Sequence, residues 1–600
     1  MIAIRRVSKN QPAPLHRPES EASAVGIRLN RLNNLGTVSR VNVRGADSVI
    51  TAPRPVRFGI LCDGPMLRAW QAQSIEELLR IPGVNPALII FSDEGSSQPV
   101  RPRGPPEEPF LLRAYLGPHP PRALRRVDMT AVFQHIPSST CRVRKQDGGE
   151  RVFEDSDVRD IRGYELDFLL QFGSGILGGE ILQAARYGVW SFHHSGEGPF
   201  RGVATCFWPI YNGDPITGTM LQRIRDRLAG GIVLRSGTFR TALHSLRQTI
   251  DDVYFGAARW PASVCQDIRL RHTAYLEGPP SATQVSESPL PSNVQMMQLI
   301  VRQTRHAIRR AQRALTRHEE WCIGIVDAPI STFLDPNTEK PVRWLHPPGD
   351  GRFVADPFGA QLDGSVHILY EDFRYSTSKG LIATMEGTAT GPPAMPKVAI
   401  ELPVPASYPY LVEDRDEIYC VPETNEAREV RLYRAVNFPT EWEKVATILT
   451  GVAALDSTLF RHEGRWWLTH TDREAGQYVH LFVWHAANLE GPWEPHALNP
   501  VKADVRSSRP AGTPFVDQGT LYRPAQDCSR RYGGRIVINR VSRLTPTEFA
   551  EESAAIVEPF PDSPFPDGIH TISRVGDVTL VDSKRHRFIP SAIPYVLRYR

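Results

Sequence analysis

The sequence predicts a two-part chain: an α/β domain built on a parallel sheet, followed by an all-β five-bladed propeller. Three observations predict it. Apolar runs at Val56–Cys62, Ala87–Ser92, Leu166–Phe172 and Tyr187–Phe192 alternate with helical patterning in the front part, which is the parallel crossover arrangement. From Phe353 onward the periodicity changes to two, and one strand pair recurs five times at intervals of roughly fifty residues. Six hundred residues also exceed what a single hydrophobic core organises.

Composition narrows the function classes. Hydrophobic residues at 41% and charged residues at 23% are ordinary for a globular chain. The 70 basic and 66 acidic residues, net +4, are spread along the sequence and give no argument for nucleic acid. Seven cysteines without Cys-x-x-Cys spacing fit reduced thiols and a cytoplasmic setting, with no metal site expected. No apolar run reaches the ~18 residues of a membrane span. The expected organisation is a disordered leader over 1–54, an α/β domain over 55–270, a linker and basic helix over 271–320, and the propeller over 321–600.

In the front domain, Val56–Cys62 is the first strand, Asp63-Gly64-Pro65 its turn, and Leu67, Trp70, Ile75, Leu78 and Leu79 mark a helix. Leu166–Phe172 is a buried strand, with Asp167 at its start as an end cap. Gly178 to Tyr187 reads as a helix, and the next strand runs into Ser191-Phe192-His193-His194 and a glycine-rich loop containing Glu197. Ligands of such sheets lie beyond the carboxyl ends of the strands, where His193 falls. An imidazole there suits proton transfer or oxyanion stabilisation, although a histidine at a strand end also serves as a structural residue. Leu243, Leu246, Ile250 and Val253 mark a helix closing the domain, with a break at Trp260-Pro261.

Ser191-Phe192-His193, Phe200-Arg201-Gly202, Ile216-Thr217-Gly218-Thr219 and Gly230–Leu234 together resemble the formyltransferase family that uses formyl-tetrahydrofolate. The resemblance implies a Rossmann-like fold, 10-formyltetrahydrofolate as cofactor, and catalysis by His193. It departs from the family at two positions: Ser191 stands for an asparagine, and the family's aspartate falls on Leu228 or Ala229. Asp226 or Glu197 would then take the amine proton, Ser191 would supply a hydrogen bond, and His194 and Arg201 would bind substrate. The implied reaction is transfer of a formyl or related one-carbon group to an amino group of a sugar or nucleotide-sugar.

Glu277 to Pro291 is a Pro/Ser-rich linker, and Val294 to Trp321 reads as a basic helix with six arginines, read as a solvated connector. The repeated unit behind it is a polar-tipped inner strand, a turn, and an aromatic-rich strand, which a propeller blade requires. Ala355-Asp356-Pro357-Phe358 and Arg523-Pro524-Ala525-Gln526-Asp527 resemble the five-bladed group of glycoside hydrolase family 43, and most closely the amino-terminal domain of the plant glucosamine inositolphosphorylceramide transferase family, over Trp321 to Arg600. The resemblance places Asp356, Glu423 and Asp456 where the hydrolases carry carboxylates. Such aspartates also pin blades. Tyr408, Tyr410, Trp466 and Trp467 are expected as stacking faces and Arg509 as a polar fork for a bound glycan. A glycan-active propeller with a degenerate front domain, or a glycan-binding protein without catalysis, are the alternatives.

Overall fold

The computed structural model describes residues 55–93, 109–145, 150–173, 175–192, 203–225, 231–279, 289–349, 351–387 and 397–599. In the front part, strand Val56–Cys62 pairs in parallel with Val84–Asp93 on one side and with Phe168–Gln171 on the other. Ser138–Lys145 continues the parallel set beyond Val84–Asp93, and Val189–Phe192 continues it beyond Phe168–Gln171. Ile216–Ile224 and Ile232–Arg240 then add antiparallel strands at one edge. The strand order therefore reverses between Val56–Cys62 and Phe168–Gln171; the sheet is parallel at its centre, but no match supports the expected formyltransferase-like Rossmann fold.

Alternation within the strands explains why both faces are covered. Phe58, Ile60, Phe168, Leu170, Trp190 and Phe192 join one apolar cluster, whereas Leu61, Leu88, Leu169 and Val189 join the other. Phe168 stacks on Trp190 at 3.7 Å, and Phe192 packs edge-on against Trp70 at 5.0 Å. Asp167 accepts the Arg57 amide at 2.8 Å, the end-capping role its position suggests.

Two element assignments need correcting. The helix expected over Gly178–Tyr187 is a short strand, Ile176–Gly178, and a single 3₁₀ turn, Glu180–Gln183. Gly179 at φ 78° and Gly188 at φ 69° supply left-handed backbone that an α-helix cannot accommodate. The basic helix runs Asn293–Thr316, capped by Ser292 and Gln295, and does not reach Trp321. His318–Val326 is instead a strand, pairing antiparallel with Val578–Arg587.

That pairing closes a ring of five blades. Four begin at Arg352–Leu362, Ser407–Asp414, Ala454–His462 and Phe515–Asp517. The fifth joins Ile572–Val575 and Val578–Arg587 from the end of the chain to His318–Val326 and Val342–Trp344 from the start of the propeller. Closure by a remote strand joins the two ends of the propeller within one sheet.

From Arg54 to Arg600 the chain clusters as one unit. Edge strand Ile232–Arg240 lies against the propeller segment Lys502–Arg509: Thr238 Oγ1 donates to Asp504 Oδ1 at 2.5 Å, and the Val505 amide donates to the Thr238 carbonyl at 3.0 Å. His480 Nε2 lies 3.2 Å from the Gly256 carbonyl, and Val479 and Ala503 pack into the front core.

Candidate active site on the propeller axis

The first strands of the first three blades neighbour one another and share one local device. Each slips register against its partner strand, between Ala355 and Phe358, Ser407 and Tyr410, and Leu455 and Thr458. The bulge puts Asp356, Tyr408 and Asp456 at φ 53°, 45° and 52°. Non-glycine residues in this region cost roughly 1–3 kcal/mol each, and bulges re-aim side chains near functional sites. Here the strain gathers two carboxylates and a phenol from three blades.

Asp456 is the hub. Its carboxylate accepts from Arg509 Nε at 2.6 Å, Arg509 Nη2 at 3.1 Å and Gln526 Nε2 at 2.7 Å. Its amide donates to Glu423 Oε2 at 2.8 Å, while Asn425 Nδ2 donates to Glu423 Oε1 at 2.7 Å. Burial, with the Asp456 charge adding to it, pushes Glu423 up to about 8 despite the opposing Arg509 charge and these hydrogen bonds. Arg509 also lies over the rings of Tyr532 at 5.0 Å and Tyr478 at 5.6 Å.

Asp356 belongs to a second group. Thr571 Oγ1 donates to its Oδ1 at 2.9 Å, and its amide donates to Asp582 Oδ2 at 3.0 Å. His570 sits between the two acids, Nε2 at 3.5 Å from Asp356 and Nδ1 at 2.6 Å from Asp582, and stacks on Trp321 at 3.9 Å. Burial raises Asp356 to about 6 against the pull of His570. Burial alone would lower His570, but the Asp582 and Asp356 charges outweigh it and raise it. Asp356, His570 and Asp582 offer atoms within 4.8 Å of one another, a donor set of metal-holding type, in which a cation would compete with the imidazole proton. Glu371, half-buried nearby, is raised well above the usual carboxylate range by burial and by the Asp356 and Glu423 charges.

This propeller is similar to part of proteins named glucosamine inositolphosphorylceramide transferase 1. The family described as glucosamine inositolphosphorylceramide transferase 1, N-terminal, matches residues 347–559. Glucosamine inositolphosphorylceramide transferase 1 of Oryza sativa subsp. japonica is 33% identical over 222 residues, 35% of this chain and 30% of that protein. The Arabidopsis thaliana protein of the same name is 34% identical over 205 residues, 33% of this chain and 27% of its own length. The matched region thus spans less than a third of either relative. Among solved structures, a family 117 glycoside hydrolase from Zobellia galactanivorans aligns at 14% identity over 45% of this chain and 91% of that one, TM-score 0.30. The catalytic domain of a GH62 α-L-arabinofuranosidase from Coprinopsis cinerea aligns at 12% over 38% and 90%, TM-score 0.29.

None of these matches supports formyl transfer. His193, His194, Glu197, Arg201 and Asp226 lie outside the described residues; Ser191 is buried in strand Val189–Phe192 beside Gln171. The cytoplasmic placement inferred from the cysteines is overturned, because the relatives are named for transfer involving a ceramide lipid, a membrane component. No described helix is long and apolar enough to cross a membrane.

On the axis, the structure brings Glu423, Asp456 and Arg509 into one network, with Asp356 within electrostatic range of Asp456. The aromatic expectation is corrected. Tyr408, Tyr410, Trp466 and Trp467 are 0–4% exposed and fill the packing within and between blades, so they present no face to a sugar. Tyr478 and Tyr532 are the half-buried aromatic rings beside Arg509. Local patterning missed Glu371, Gln526, His570 and Asp582. The one signal for them was their position within or at the ends of recurring blade phrases.

Proposed function

We propose that this chain is a glycan-related transferase that holds a sugar at the propeller axis, with Glu423 donating a proton and Asp356 accepting one. The observation that carries this reading is a buried cluster in which Glu423 accepts from the Asp456 amide, Asp456 is paired with Arg509, and Asp356 lies beside His570, and burial spreads the proton affinities of its carboxyls. Glu423 keeps its proton up to about pH 8, and Asp356 releases its own above about pH 6. In a glycosyl transfer the acceptor hydroxyl would lose its proton to Asp356 as its oxygen bonds the anomeric carbon. The departing oxygen would take the Glu423 proton as its bond to that carbon breaks. Activity would then follow a bell-shaped pH profile with its maximum between about 6 and 8. The relatives' names support a phosphoinositol-bearing ceramide as the acceptor class.

The test incubates the full chain with labelled sugar donors and inositolphosphorylceramide, and scores both labelled lipid and released sugar. Glu423→Gln and Asp356→Asn are expected to lower turnover about 100-fold or more while calorimetric sugar affinity is retained. Product formation unchanged in both variants would exclude the assignment. A second reading, glycan binding without catalysis, is favoured by how fully Asp456 is engaged by Arg509 and Gln526. It predicts saturable sugar binding and no product from any donor.

A further inference from the structure

Helix Asn293–Thr316 presents two apolar faces where a connector needs one. Met296, Leu299, Gln303 and Ala314 are buried toward the body of the protein. Val294, Met297, Val301, Ile308 and Leu315 are 60, 57, 45, 53 and 43% exposed. At 3.6 residues per turn their spacing of three, four, seven and seven keeps them within a sector of roughly 60°, on the side of the helix opposite the buried set. The same helix carries Arg302, Arg305, Arg309, Arg310 and Arg313 and no Asp or Glu. Arg302 turns back to Tyr211 and Arg310 to His244, whereas Arg305, Arg309 and Arg313 make no side-chain hydrogen bond or ion pair among the described residues. By the same geometry, Arg305 and Arg309 border the apolar stripe along one side, about 20–60° from Val294. Phe110 and Leu597, 65 and 72% exposed, are further apolar side chains on two helices that touch this one.

We propose that this face docks on the surface of an anionic phospholipid bilayer, the stripe entering the headgroup boundary and the arginines pairing with lipid phosphates. Apolar side chains flanked by unpaired arginines are what an interfacial helix requires. Charge decides among occupants. A second copy of the helix would set Arg305, Arg309 and Arg313 against the same three arginines with no acid in either helix to offset them. The leader over residues 1–54 carries nine Lys/Arg against three Asp/Glu and is repelled in the same way. An anionic surface lowers the energy of all of these charges at once.

The site does not depend on the axial reading, and the test keeps the two apart by using vesicles without any sugar lipid. The full chain is floated with vesicles of phosphatidylcholine alone and of phosphatidylcholine with phosphatidylserine, at low and high salt. Binding only to the serine-containing vesicles, weakened by salt, is expected. Arg305→Gln with Arg309→Gln should weaken it about 30-fold, at the usual strength of an arginine near an anionic surface. Met297→Ser with Ile308→Ser should abolish it while leaving the thermal unfolding midpoint unchanged, since neither side chain is buried in the fold. Three results would each overturn the proposal: no binding to anionic vesicles, equal binding by wild type and both variants, or a lipid-free change in sedimentation coefficient in the serine variant. The last would identify a second copy as the occupant.

Discussion

Replacing Arg509 by Met removes the cation that compensates Asp456 while keeping the volume of the side chain. The guanidinium makes two bonds to that carboxylate, and the two side chains are 8% and 4% exposed. Stranding a buried charge in this way costs about 3–5 kcal/mol, and the lost contacts with Tyr478 and Tyr532 add about 1 kcal/mol. Arg509→Lys keeps the charge but loses the fork, so its deficit should be smaller, about 1–2 kcal/mol. The assay is denaturant unfolding of Arg509→Met, Asp456→Asn and the double variant at neutral pH. If the pair is the source of the deficit, the double variant will be more stable than Arg509→Met alone, with a coupling of about 2 kcal/mol or more. Strictly additive losses would refute the ion-pair argument. On the proposed acid role of Glu423, a kinetic consequence follows: the Arg509 charge holds Glu423 down, so its removal should move the alkaline limb of the activity profile to higher pH.

Further predictions concern linkage and packing. Glu423 has a folded pKa raised from 4.5 to about 8, so its contribution to stability is complete below pH 4.5 and is lost as pH rises toward 8. Glu423→Gln should flatten the stability profile across that window, as urea titrations from pH 4.5 to 8 would reveal. Glu551 behaves in the opposite sense. Burial would raise it, but the Arg523 and Lys502 charges outweigh burial and lower it, so its contribution is present above pH 4.5 and is lost on acidification below that. Glu551→Gln should cost about 3 kcal/mol at neutral pH, with the gap to wild type narrowing as acid protonates the native side chain; a gap that stays constant with pH would argue against it. At Gly237 a Cβ would meet the Ala503 carbonyl and Trp260 at 2.9 Å, so Gly237→Ala should destabilise by about 1–3 kcal/mol while the calorimetric trace keeps a single transition. Separate melting of the two halves would show that they are not packed as one unit.

Much of the ring was legible because blades repeat: five polar-tipped strands followed by aromatic strands cannot be satisfied singly, and their order along the chain is their order around the axis. The closing strand was not legible. His318–Val326 follows a long helix, and its partner Val578–Arg587 lies at the far end of the chain, so nothing local distinguishes Glu319-Glu320-Trp321 from one more helical turn. Asp356 and Asp456 were legible as inner-strand acids, but the bulges that aim them depend on their partner strands. His570 sits between Ile569 and Thr571 in a blade phrase, and only the folded ring sets it between Asp356, Asp582 and Trp321. The tyrosines and tryptophans misled for a related reason. An aromatic in a period-two strand fits a ligand face and a packing face equally well, and sequence does not say which side the neighbouring blade occupies.

The join between the halves bears on the axial site through one short segment. Asp504 receives Thr238 from the front sheet and Arg506 from its own loop, and these hydrogen bonds outweigh burial to hold its carboxyl below the usual range. Three residues on, the carbonyls of Ser507 and Ser508 accept from Arg523, whose guanidinium is fixed by Glu551. Arg509 follows immediately, so its backbone is held from the front sheet on one side and from a buried ion pair on the other. A guanidinium fork delivers two bonds only when its origin is fixed to within a fraction of an ångström. The front domain can therefore affect the axial site without contributing a side chain to it, by holding the segment from which Arg509 reaches Asp456.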